Sequence, residues 1–362
     1  MDIETKLQLI KEIGEEIITE DELREILQSK THPIAYDGFE PSGIAHLPFG
    51  IYRAINIENL LKAGIHFKLY VADWFGWLNN KMGGDLEKIK MVGKYFIEVW
   101  KAAGIDMKKV EVIWTSDVVK DPDYWKKVIL IAKNTTVNRA IRCLSIMGRT
   151  ETELKETAQL FYPMMQTADI FHLKADICQL GLDQRRANML AREIGPKLGW
   201  WKPVIVSHHM LMGLEGVKTP DGYDENKTID IQISSKMSKS KPETCIYVHD
   251  SREEIERKIN KAFCPEKIVE NNPILDYSKH IIFRKFKTMK IDRPQKFGGS
   301  IEFENYLELE KAYREGKIHP LDLKKAVSEY LDILIEPIRS HFERSKKARE
   351  MYELVKQQKI TR

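Results

Sequence analysis

The sequence predicts an α/β protein: a doubly wound parallel sheet followed by a mostly α-helical C-terminal domain. Apolar strand patterns alternate with amphipathic helical patterns in the first third of the chain, an order typical of a parallel sheet covered by helices. After about residue 247 the helical pattern predominates. The chain has 362 residues, 43% of them hydrophobic, which is enough for two domains with cores of their own.

The predicted elements follow one another in order along the N-terminal part. Two short helices open the chain, and the second has an acidic first turn that suits the helix dipole. The strand candidates are apolar runs bounded by turn residues. The predicted helices span 6–15, 21–28, 47–63, 85–103, 123–148, 151–172 and 183–198, and the predicted strands span 33–39, 66–73, 110–115, 177–180 and 204–206.

The second half is divided by a predicted flexible region at 215–243. We place a domain boundary near residue 245, which gives an N-terminal domain of residues 1–245, with a helical connective insertion at about 118–158, and a C-terminal domain of residues 246–362. The helices predicted in the C-terminal domain span 251–263, 275–283, 301–315, 320–342 and 345–357.

Composition limits the class of protein and its cellular compartment. No apolar run approaches the roughly 20 residues of a transmembrane helix, and the acidic start at residues 1–4 is unlike a signal peptide. The four cysteines are scattered, so we expect neither a disulfide framework nor structural zinc, predict no metal-binding residue, and expect a cytoplasmic protein. The formal net charge of +4 permits a nucleic-acid partner without requiring one.

The run Lys-Met-Ser-Lys-Ser at 236–240 is the strongest local sign of chemistry. Its surroundings are rich in Ser, Lys and Pro, which is typical of a mobile loop. The ammonium groups of Lys236 and Lys239 and the hydroxyl of Ser238 could close on a polyphosphate as negative charge develops. Taken alone, such a pentapeptide is more often a solvated surface loop.

The first strand of the predicted sheet runs into a turn and then a helix. In open α/β sheets ligands bind beyond the carboxyl ends of the strands, and phosphate favours the N-terminus of the next helix. Gly38 and Gly43 allow close approach to the backbone, and His46 at the helix start can donate to a phosphate oxygen, although a histidine there is commonly a simple cap. Neither GxGxxG nor GxxxxGK[ST] occurs here, so a dinucleotide fingerprint and a Walker loop do not apply.

A polar stripe is predicted on the helix that contains residues 161–171. Tyr162, Gln166 and Asp169 stand at i, i+4 and i+7, so they share one face among apolar neighbours. Buried polar groups need partners, so this face should line a pocket, although the spacing also fits a solvent-facing stripe. An acceptor-rich cluster suited to an ammonium group continues through Asp176, Asp183, Gln184 and Arg185.

The turn at 43–49 (GIAHLPF) and the KMSKS run together resemble the two signatures of class I aminoacyl-tRNA synthetases. That family uses a Rossmann-type fold to activate an amino acid with ATP and then esterifies it to tRNA. The first signature is imperfect, because Pro48 and Phe49 stand where the family has glycine and a second histidine. Only His46 therefore carries over from it.

The segments 36–43 and 161–171 resemble the tyrosine-specific branch of archaeal/eukaryotic type. Through this resemblance Tyr36 and Asp169 are expected to bind a phenol hydroxyl, which is donor and acceptor at once. Magnesium is expected with ATP, held mainly by phosphate and water. The resemblance implies that Tyr162, Gln166 and Gln184 hold the α-amino group near Asp176, that His46, Lys236 and Lys239 are catalytic, and that ATP is bound by Gly38, Gly43, His46, Met210, Lys236, Ser238 and Lys239.

The same resemblance implies that the C-terminal domain binds the anticodon of tRNA(Tyr). Phe297 could stack on an unpaired base while His319 and Asp322 read its edge; alone, Phe297 would be assigned to the core and 319–322 to an ordinary helix start. Arg185 and Arg186 match basic residues near the first acceptor base pair. The family is typically a homodimer, with an interface expected on helices within 120–155.

Other assignments share some of these features. A tryptophanyl-tRNA synthetase has the same architecture, but an indole N–H is only a donor and suits Tyr36 and Asp169 less well. A non-catalytic tRNA-binding paralogue fits the imperfect first signature but not the intact KMSKS run, and a small-molecule nucleotidyltransferase leaves the C-terminal helices unexplained. The resemblance therefore implies an enzyme that forms tyrosyl-adenylate and pyrophosphate from L-tyrosine and ATP, then transfers tyrosine to the 3′ end of tRNA(Tyr).

Overall fold

The computed structural model describes residues 1–148, 153 and 156–358. Its N-terminal part contains the strands β1 (Gly14–Ile18), β2 (Ile34–Phe39), β3 (His66–Val71), β4 (Val110–Trp114), β5 (Ile177–Cys178) and β6 (Val204–His208). They form one sheet in the order β1–β6–β5–β2–β3–β4. All neighbouring pairs are parallel except β1 and β6. The predicted mostly parallel α/β sheet is confirmed.

Helices surround this sheet and connect its strands. The second of them begins with a capping box in which Thr19 and Glu22 exchange side-chain to backbone hydrogen bonds. The helices of this part are α1 (Ile3–Lys11), α2 (Glu20–Ser29), α3 (Arg53–Lys62), α4 (Asp73–Leu78), α5 (Leu86–Ala102), α6 (Thr115–Val118), α7 (Pro122–Lys133), α8 (Val137–Cys143), α9 (Phe161–His172), α10 (Arg185–Lys197) and α11 (Lys227–Ser235).

The C-terminal part is mostly helical, as predicted. It adds one antiparallel hairpin, β7 (Met289–Ile291) with β8 (Ile301–Phe303). Its helices are α12 (Arg252–Lys261), α13 (Pro273–Tyr277), α14 (Phe283–Lys285), α15 (Tyr306–Arg314), α16 (Pro320–Arg344) and α17 (Lys346–Lys356). Among the described residues, no helix combines the length and the apolar character needed to cross a membrane.

The apolar core is continuous across residue 245. Val248 belongs to the same buried cluster as Phe49 and Ile338, and both α16 and α17 pack against α5. A second buried cluster surrounds the opposite face of the sheet and includes residues of α7 and α9. The division into two domains at residue 245 stays a prediction, and the packing places the two parts in close contact.

Several sequence predictions of local structure are wrong. The first helix ends at Lys11, and Gly14–Ile18 form an edge strand that pairs with β6. The predicted flexible region contains α11, and residues 301–303 form a strand before α15 begins. In each case a short strand or helix depends on pairing or packing with residues distant in the sequence. A local sequence pattern contains no information about those partners.

The insertion is also divided differently from the prediction. The helix expected at 123–148 is split into α7 and α8, and Thr136 caps the second of them through its side chain. Residues 149–152, 154 and 155 lie outside the described residues, and four of them (151, 152, 154 and 155) belong to the helix predicted at 151–172.

Candidate active site

A cavity of about 930 Å³ opens at the carboxyl ends of the parallel strands. It is lined at one end by Tyr36 and Asp169 and at the other by Lys236 and Lys239. The two sets of residues that the sequence singled out therefore share one compartment. This is the position expected for a ligand site in an open α/β sheet.

The closed end of the cavity is built around the Asp169 carboxylate on α9. The hydroxyls of Tyr70 and Tyr124 donate hydrogen bonds to its Oδ1 at 2.9 and 3.0 Å. All three residues are at most 1% exposed. Burial raises the pKa of Asp169 to about 8, although both phenol hydrogen bonds lower it.

Tyr36 faces the same space but does not bond to Asp169. Its hydroxyl is buried and has no hydrogen-bond partner among the described residues, and its ring packs edge-on against Tyr70 with centroids 6.5 Å apart. Burial, more than nearby carboxylates, raises the pKa of this phenol. A buried hydroxyl without a partner is costly, so a ligand hydroxyl is its natural partner.

The sequence missed Tyr70 and Tyr124. Tyr70 lies on β3 directly opposite Gly38 of β2, and a Cβ on that glycine would lie 3.4 Å from the Tyr70 ring. The strand register could have indicated Tyr70, whereas Tyr124 comes from α7 in the insertion and has no local signal.

The polar stripe of α9 is buried, which excludes the solvent-facing alternative. Gln166 Nε2 donates to Gln184 Oε1 at 3.0 Å, and Gln184 Nε2 donates to the Ile146 carbonyl at 3.1 Å. The Tyr162 hydroxyl donates instead to Glu40 Oε1 at 2.5 Å. The three residues predicted around an α-amino group therefore line one wall, with Glu40 as an additional acceptor that the sequence treated only as part of a turn.

Glu40 connects the two ends of the cavity. Its carboxylate accepts the Asn79 side-chain amide at 3.1 Å and lies 3.8 Å from Lys81 Nζ. Both Glu40 and Lys81 line the cavity. An acidic and a basic group thus lie between the buried phenols and the lysine run.

The open end carries the two lysines of the KMSKS run. Lys236 Nζ contacts Asp183 Oδ2 at 2.5 Å, and this carboxylate raises the pKa of Lys236 against the effect of burial. Lys239 Nζ donates hydrogen bonds to the Ser42 carbonyl at 3.0 Å and to the Ser42 hydroxyl oxygen at 2.8 Å. Burial, and then the charge of Lys81, lower the pKa of Lys239 to about 8.

Met237 is the anchor of this run. It is 3% exposed, and its backbone N–H donates to the Leu211 carbonyl at 2.8 Å. The side chains of Ser238 and Ser240 lie 2.9 Å apart. The run follows α11 directly and packs against the core through Met237. The region 215–243, predicted to be flexible throughout, therefore contains a helix and a buried side chain.

His46 lines the cavity near both lysines. Burial, followed by the charges of Lys239 and Lys236, lowers the pKa of His46 well below its usual value, so its ring is neutral at neutral pH. Its Nδ1 has no hydrogen-bond partner among the described residues. Phe49 is a core residue, with its ring 4.0 Å from Phe96 and 4.8 Å from Trp100 between centroids.

Of the remaining residues predicted to bind ATP, three line the cavity and Gly43 does not. Gly38, Met210 and Ser238 line the cavity. Gly43 is outside this lining and adopts a φ of +98°, so the turn before His46 needs glycine for its backbone conformation.

A buried ionic cluster that the sequence missed forms part of the cavity wall. Asp37 pairs with Arg53, whose Nη1 donates to Gln179 Oε1 at 2.6 Å and whose Nη2 lies 2.9 Å from His208 Nε2. Burial raises the pKa of Asp37 to about 7, against the effect of Arg53. The cluster connects β2, β5 and β6 at the carboxyl ends where the cavity begins.

Asp176 lies outside the acceptor cluster predicted for it. Its carboxylate accepts Lys30 Nζ at 2.6 Å and the Ile34 N–H at 3.0 Å, and it lines a second cavity with Lys30 and His172. Its place is therefore at the start of β2, and the expectation that it joins Asp169 is wrong.

The two adjacent arginines at the start of α10 are already paired. Arg185 Nε lies 2.9 Å from both oxygens of Glu16 on β1. Arg186 donates to the Arg142 carbonyl at 2.5 Å and lies 3.6 Å from Asp224. Neither arginine is among the residues that line the main cavity.

The predicted anticodon residues lie on the loop that contains Phe297 and at the start of α16. Phe297 is 60% exposed, so it is not a core residue. His319 caps α16 by accepting the Leu321 N–H at 3.2 Å, and Asp322 stands in the first turn of that helix. Arg293 joins these two segments by donating to the Gly299 carbonyl at 3.0 Å and to the Lys317 carbonyl at 2.7 Å.

Comparisons with known proteins agree with this geometry. Residues 28–336 match the family described as class I tRNA synthetases for W and Y. The chain belongs to this family. It is 46% identical to the tyrosine–tRNA ligase of Saccharolobus islandicus, with 98% of each chain covered. It superposes on tyrosyl-tRNA synthetase from Pyrococcus horikoshii, solved with L-tyrosine, with a TM-score of 0.89 and 41% identity over 98% of this chain and 100% of that one.

A longer plant relative matches as well. The chain is 45% identical to the cytoplasmic tyrosine–tRNA ligase 2 of Arabidopsis thaliana over 99% of its own length, but spans only 46% of that protein. The family and its tyrosine branch, predicted from the sequence, are confirmed, and so is the assignment as an enzyme of the tyrosine–tRNA ligase class. The alternative of a tryptophan enzyme is not favoured.

Proposed function

We propose that this class I synthetase activates L-tyrosine with ATP to tyrosyl-adenylate and pyrophosphate and then transfers tyrosine to the 3′ end of tRNA(Tyr). The observation that carries the proposal is the shared cavity, which has a phenol-lined closed end and a lysine-lined open end. Its volume of about 930 Å³ suits two small substrates side by side.

The closed end selects a phenol. The two hydrogen bonds to Asp169 both fall on Oδ1, so Oδ2 can accept the hydroxyl of a bound tyrosine, while the Tyr36 hydroxyl donates to the same substrate oxygen. Phenylalanine would leave both groups buried and unpaired, which is unfavourable. An indole N–H could satisfy Asp169 but not Tyr36.

The wall next to it suits an ammonium group. Gln166 uses its amide nitrogen on Gln184, so its carbonyl oxygen can accept a hydrogen bond from the α-amino group. The hydroxyl oxygen of Tyr162 and the carboxylate of Glu40 are further acceptors on that wall. This arrangement directs the substrate carboxylate toward the lysines.

At the open end, the tyrosine carboxylate attacks the α-phosphate of ATP in line and pyrophosphate leaves. Lys236 and Lys239 stabilise the developing negative charge. His46 acts as a neutral hydrogen-bond donor rather than a cation, because its pKa is depressed. ATP enters as its magnesium complex, with the ion held by phosphate and water. Gly38, Met210 and Ser238 line the rest of its site, and Gly43 supplies the turn that places His46.

The tRNA would extend from this opening to the C-terminal part. Phe297 offers an exposed ring for base stacking. His319 and Asp322 lie at the start of α16, and Arg293 connects the segment before them to the Phe297 loop. Arg185 and Arg186 would meet the acceptor end once their present carboxylate partners are displaced or shared. This placement has the largest conformational cost, because Arg185 is held by two bonds to Glu16.

A homodimer and a cytoplasmic location complete the proposal. On α7 and α8, Ile129 and Val137 are 50% and 68% exposed, which provides an apolar surface for a second copy. The four cysteines carry free thiols, which a reducing compartment would preserve. Sedimentation of the wild-type protein and of Ile129→Glu tests the dimer: the variant should sediment as a monomer.

Pyrophosphate exchange tests the reaction. The rate should depend on tyrosine, with tryptophan and phenylalanine measured in parallel at equal concentration. Faster exchange with tryptophan would reverse the substrate assignment. Tyr36→Phe removes one oxygen from the closed end, so it should raise the tyrosine concentration needed while leaving the KM for ATP unchanged.

A further inference from the structure

Tyr247 contacts both of the segments that carry the catalytic residues. It follows the KMSKS run in the chain and is not among the residues that line the main cavity. Its backbone forms an antiparallel bridge with His46. Its hydroxyl donates a hydrogen bond to the Lys239 carbonyl at 3.2 Å. A residue behind the cavity wall is therefore bonded to the segments of His46 and Lys239 at once.

Two backbone hydrogen bonds flank the bridge to His46. The Leu47 N–H donates to the Ile246 carbonyl at 2.8 Å, and the Val248 N–H donates to the Ala45 carbonyl at 3.1 Å. Ile246 and Val248 are fully buried. The backbone on both sides of Tyr247 is therefore fixed against the turn that carries His46.

The orientation of the Tyr247 ring is set by Lys258 of α12. Lys258 Nζ lies 4.9 Å from the centroid of the ring, a distance at which a cation attracts an aromatic face. The same ammonium group donates to Asp250 Oδ2 at 2.6 Å, and this oxygen accepts the Tyr247 N–H at 2.9 Å. Lys258 is buried, so the phenol hydroxyl has a defined position from which it can donate.

The bond from Tyr247 completes the attachment of the KMSKS run. Met237 fixes the beginning of the run through its buried side chain. Further along, Lys239 Nζ donates to Ser42 while the Lys239 carbonyl accepts the Tyr247 hydroxyl. Burial raises the pKa of the Tyr247 phenol, so its hydroxyl keeps the proton that this hydrogen bond needs.

We propose that Tyr247 is a positioning residue that holds the backbone of Lys239 in a fixed place relative to His46 during adenylate formation. This role rests on the proposed function, in which the Lys239 and His46 side chains stabilise the same developing negative charge. Such stabilisation depends on groups that are in place before the charge appears, so a small displacement of Lys239 slows the reaction.

Tyr247→Phe tests this role, because it removes the hydroxyl and keeps the ring. The kcat of pyrophosphate exchange should fall by about 3–10-fold, the effect of losing one neutral hydrogen bond. The KM values for tyrosine and ATP should stay unchanged, as expected when only the transition state is affected. Tyr313→Phe is the matched control, because it also removes a hydroxyl that donates to a backbone carbonyl, that of Pro265 at 2.9 Å. Its exchange kinetics should equal those of the wild type.

A double-mutant cycle shows whether Tyr247 acts through Lys239. In a chain that already carries Lys239→Ala, the change Tyr247→Phe should cause no further loss of kcat, because the side chain that it positions is absent. An equal loss in both backgrounds would overturn the proposal and assign Tyr247 a general effect on the fold.

Three other results would also overturn the role of Tyr247. They are an unchanged kcat in Tyr247→Phe, a raised KM with normal kcat, and a Tyr247→Phe variant that does not fold, since the last would make the hydroxyl a structural group. Tyrosine-dependent exchange by the wild type is measured first, so failure of this role and failure of the proposed reaction are distinguishable.

Discussion

The two ends of the active-site cavity are constructed in different ways. At the closed end, strands and helices place Tyr36, Tyr70, Tyr124 and Asp169 in a fully buried group. At the open end, the cations lie on a loop that one buried side chain, Met237, fixes to the core. The buried group at the closed end suits recognition of a small rigid group. The lysines at the open end suit stabilisation of negative charge that develops on phosphate in the transition state.

The two ends should therefore determine different kinetic properties, namely substrate binding and the rate of adenylate formation. Leaving a buried polar group without a hydrogen-bond partner costs free energy. The closed end should therefore control which amino acid binds. A cation near phosphates should act mainly on the transition state, so the open end should control how fast adenylate forms. Changes at each end should therefore appear in different kinetic parameters.

The largest effect is expected at the open end. Lys239→Ala should lower the kcat of pyrophosphate exchange by about 10²–10³-fold, the cost of removing one donor to a developing anion. The KM for tyrosine should change little. Lys241→Ala is the matched control, because Lys241 lies on the same loop but pairs with Glu215 at 3.0 Å. A raised tyrosine KM with normal kcat would contradict the division between the two ends.

The next effect belongs to the closed end. Asp169→Asn should raise the KM for tyrosine by about 10–100-fold, since a buried polar group that loses its hydrogen-bond partner costs about 1–3 kcal/mol, and should leave the KM for ATP unchanged. Asp176→Asn serves as control, because its carboxylate bonds to Lys30 and the Ile34 N–H outside the cavity. Equal loss in both substrates would make Asp169 a structural residue.

Some residues of the cavity could be predicted from the sequence, and others could not. Tyr162, Gln166 and Asp169 were predictable, because helical spacing places them on one face of α9. Tyr124 was not, because it reaches Asp169 from α7, 45 residues away, and nothing in its own segment marks that contact. Glu40 was visible only as a turn residue, although it bonds to Tyr162 across the cavity.

The fold follows the same rule. The strands β2, β3 and β4 were predictable from long apolar runs with turn residues at their ends. The strand β1 was missed, because Gly14–Ile18 is half-buried and owes its form to pairing with β6. The role of Met237 was equally invisible, since only the tertiary structure shows that it fixes the lysine loop.

A smaller effect is expected far from both ends. Phe297→Ala should reduce charging of tRNA(Tyr) by about tenfold, within the 1–3 kcal/mol typical of one stacked base, and should leave pyrophosphate exchange intact. Leu307→Ala is the control, because Leu307 is also exposed, at 74%, but lies on α15. A parallel loss of exchange would show that Phe297 supports the fold rather than the tRNA.

The smallest effect concerns pH at the open end. Burial and the neighbouring Lys81 lower the pKa of Lys239 to about 8, and a lysine carries its charge only below its pKa. In the free enzyme kcat/KM for ATP should therefore fall to half near pH 8 and continue to fall above it. Lys81→Gln should move this alkaline limb to higher pH, and Lys239→Arg should remove it, because arginine stays charged. A limb that persists in Lys239→Arg would assign it to another group and leave Lys239 without an electrostatic role in this range.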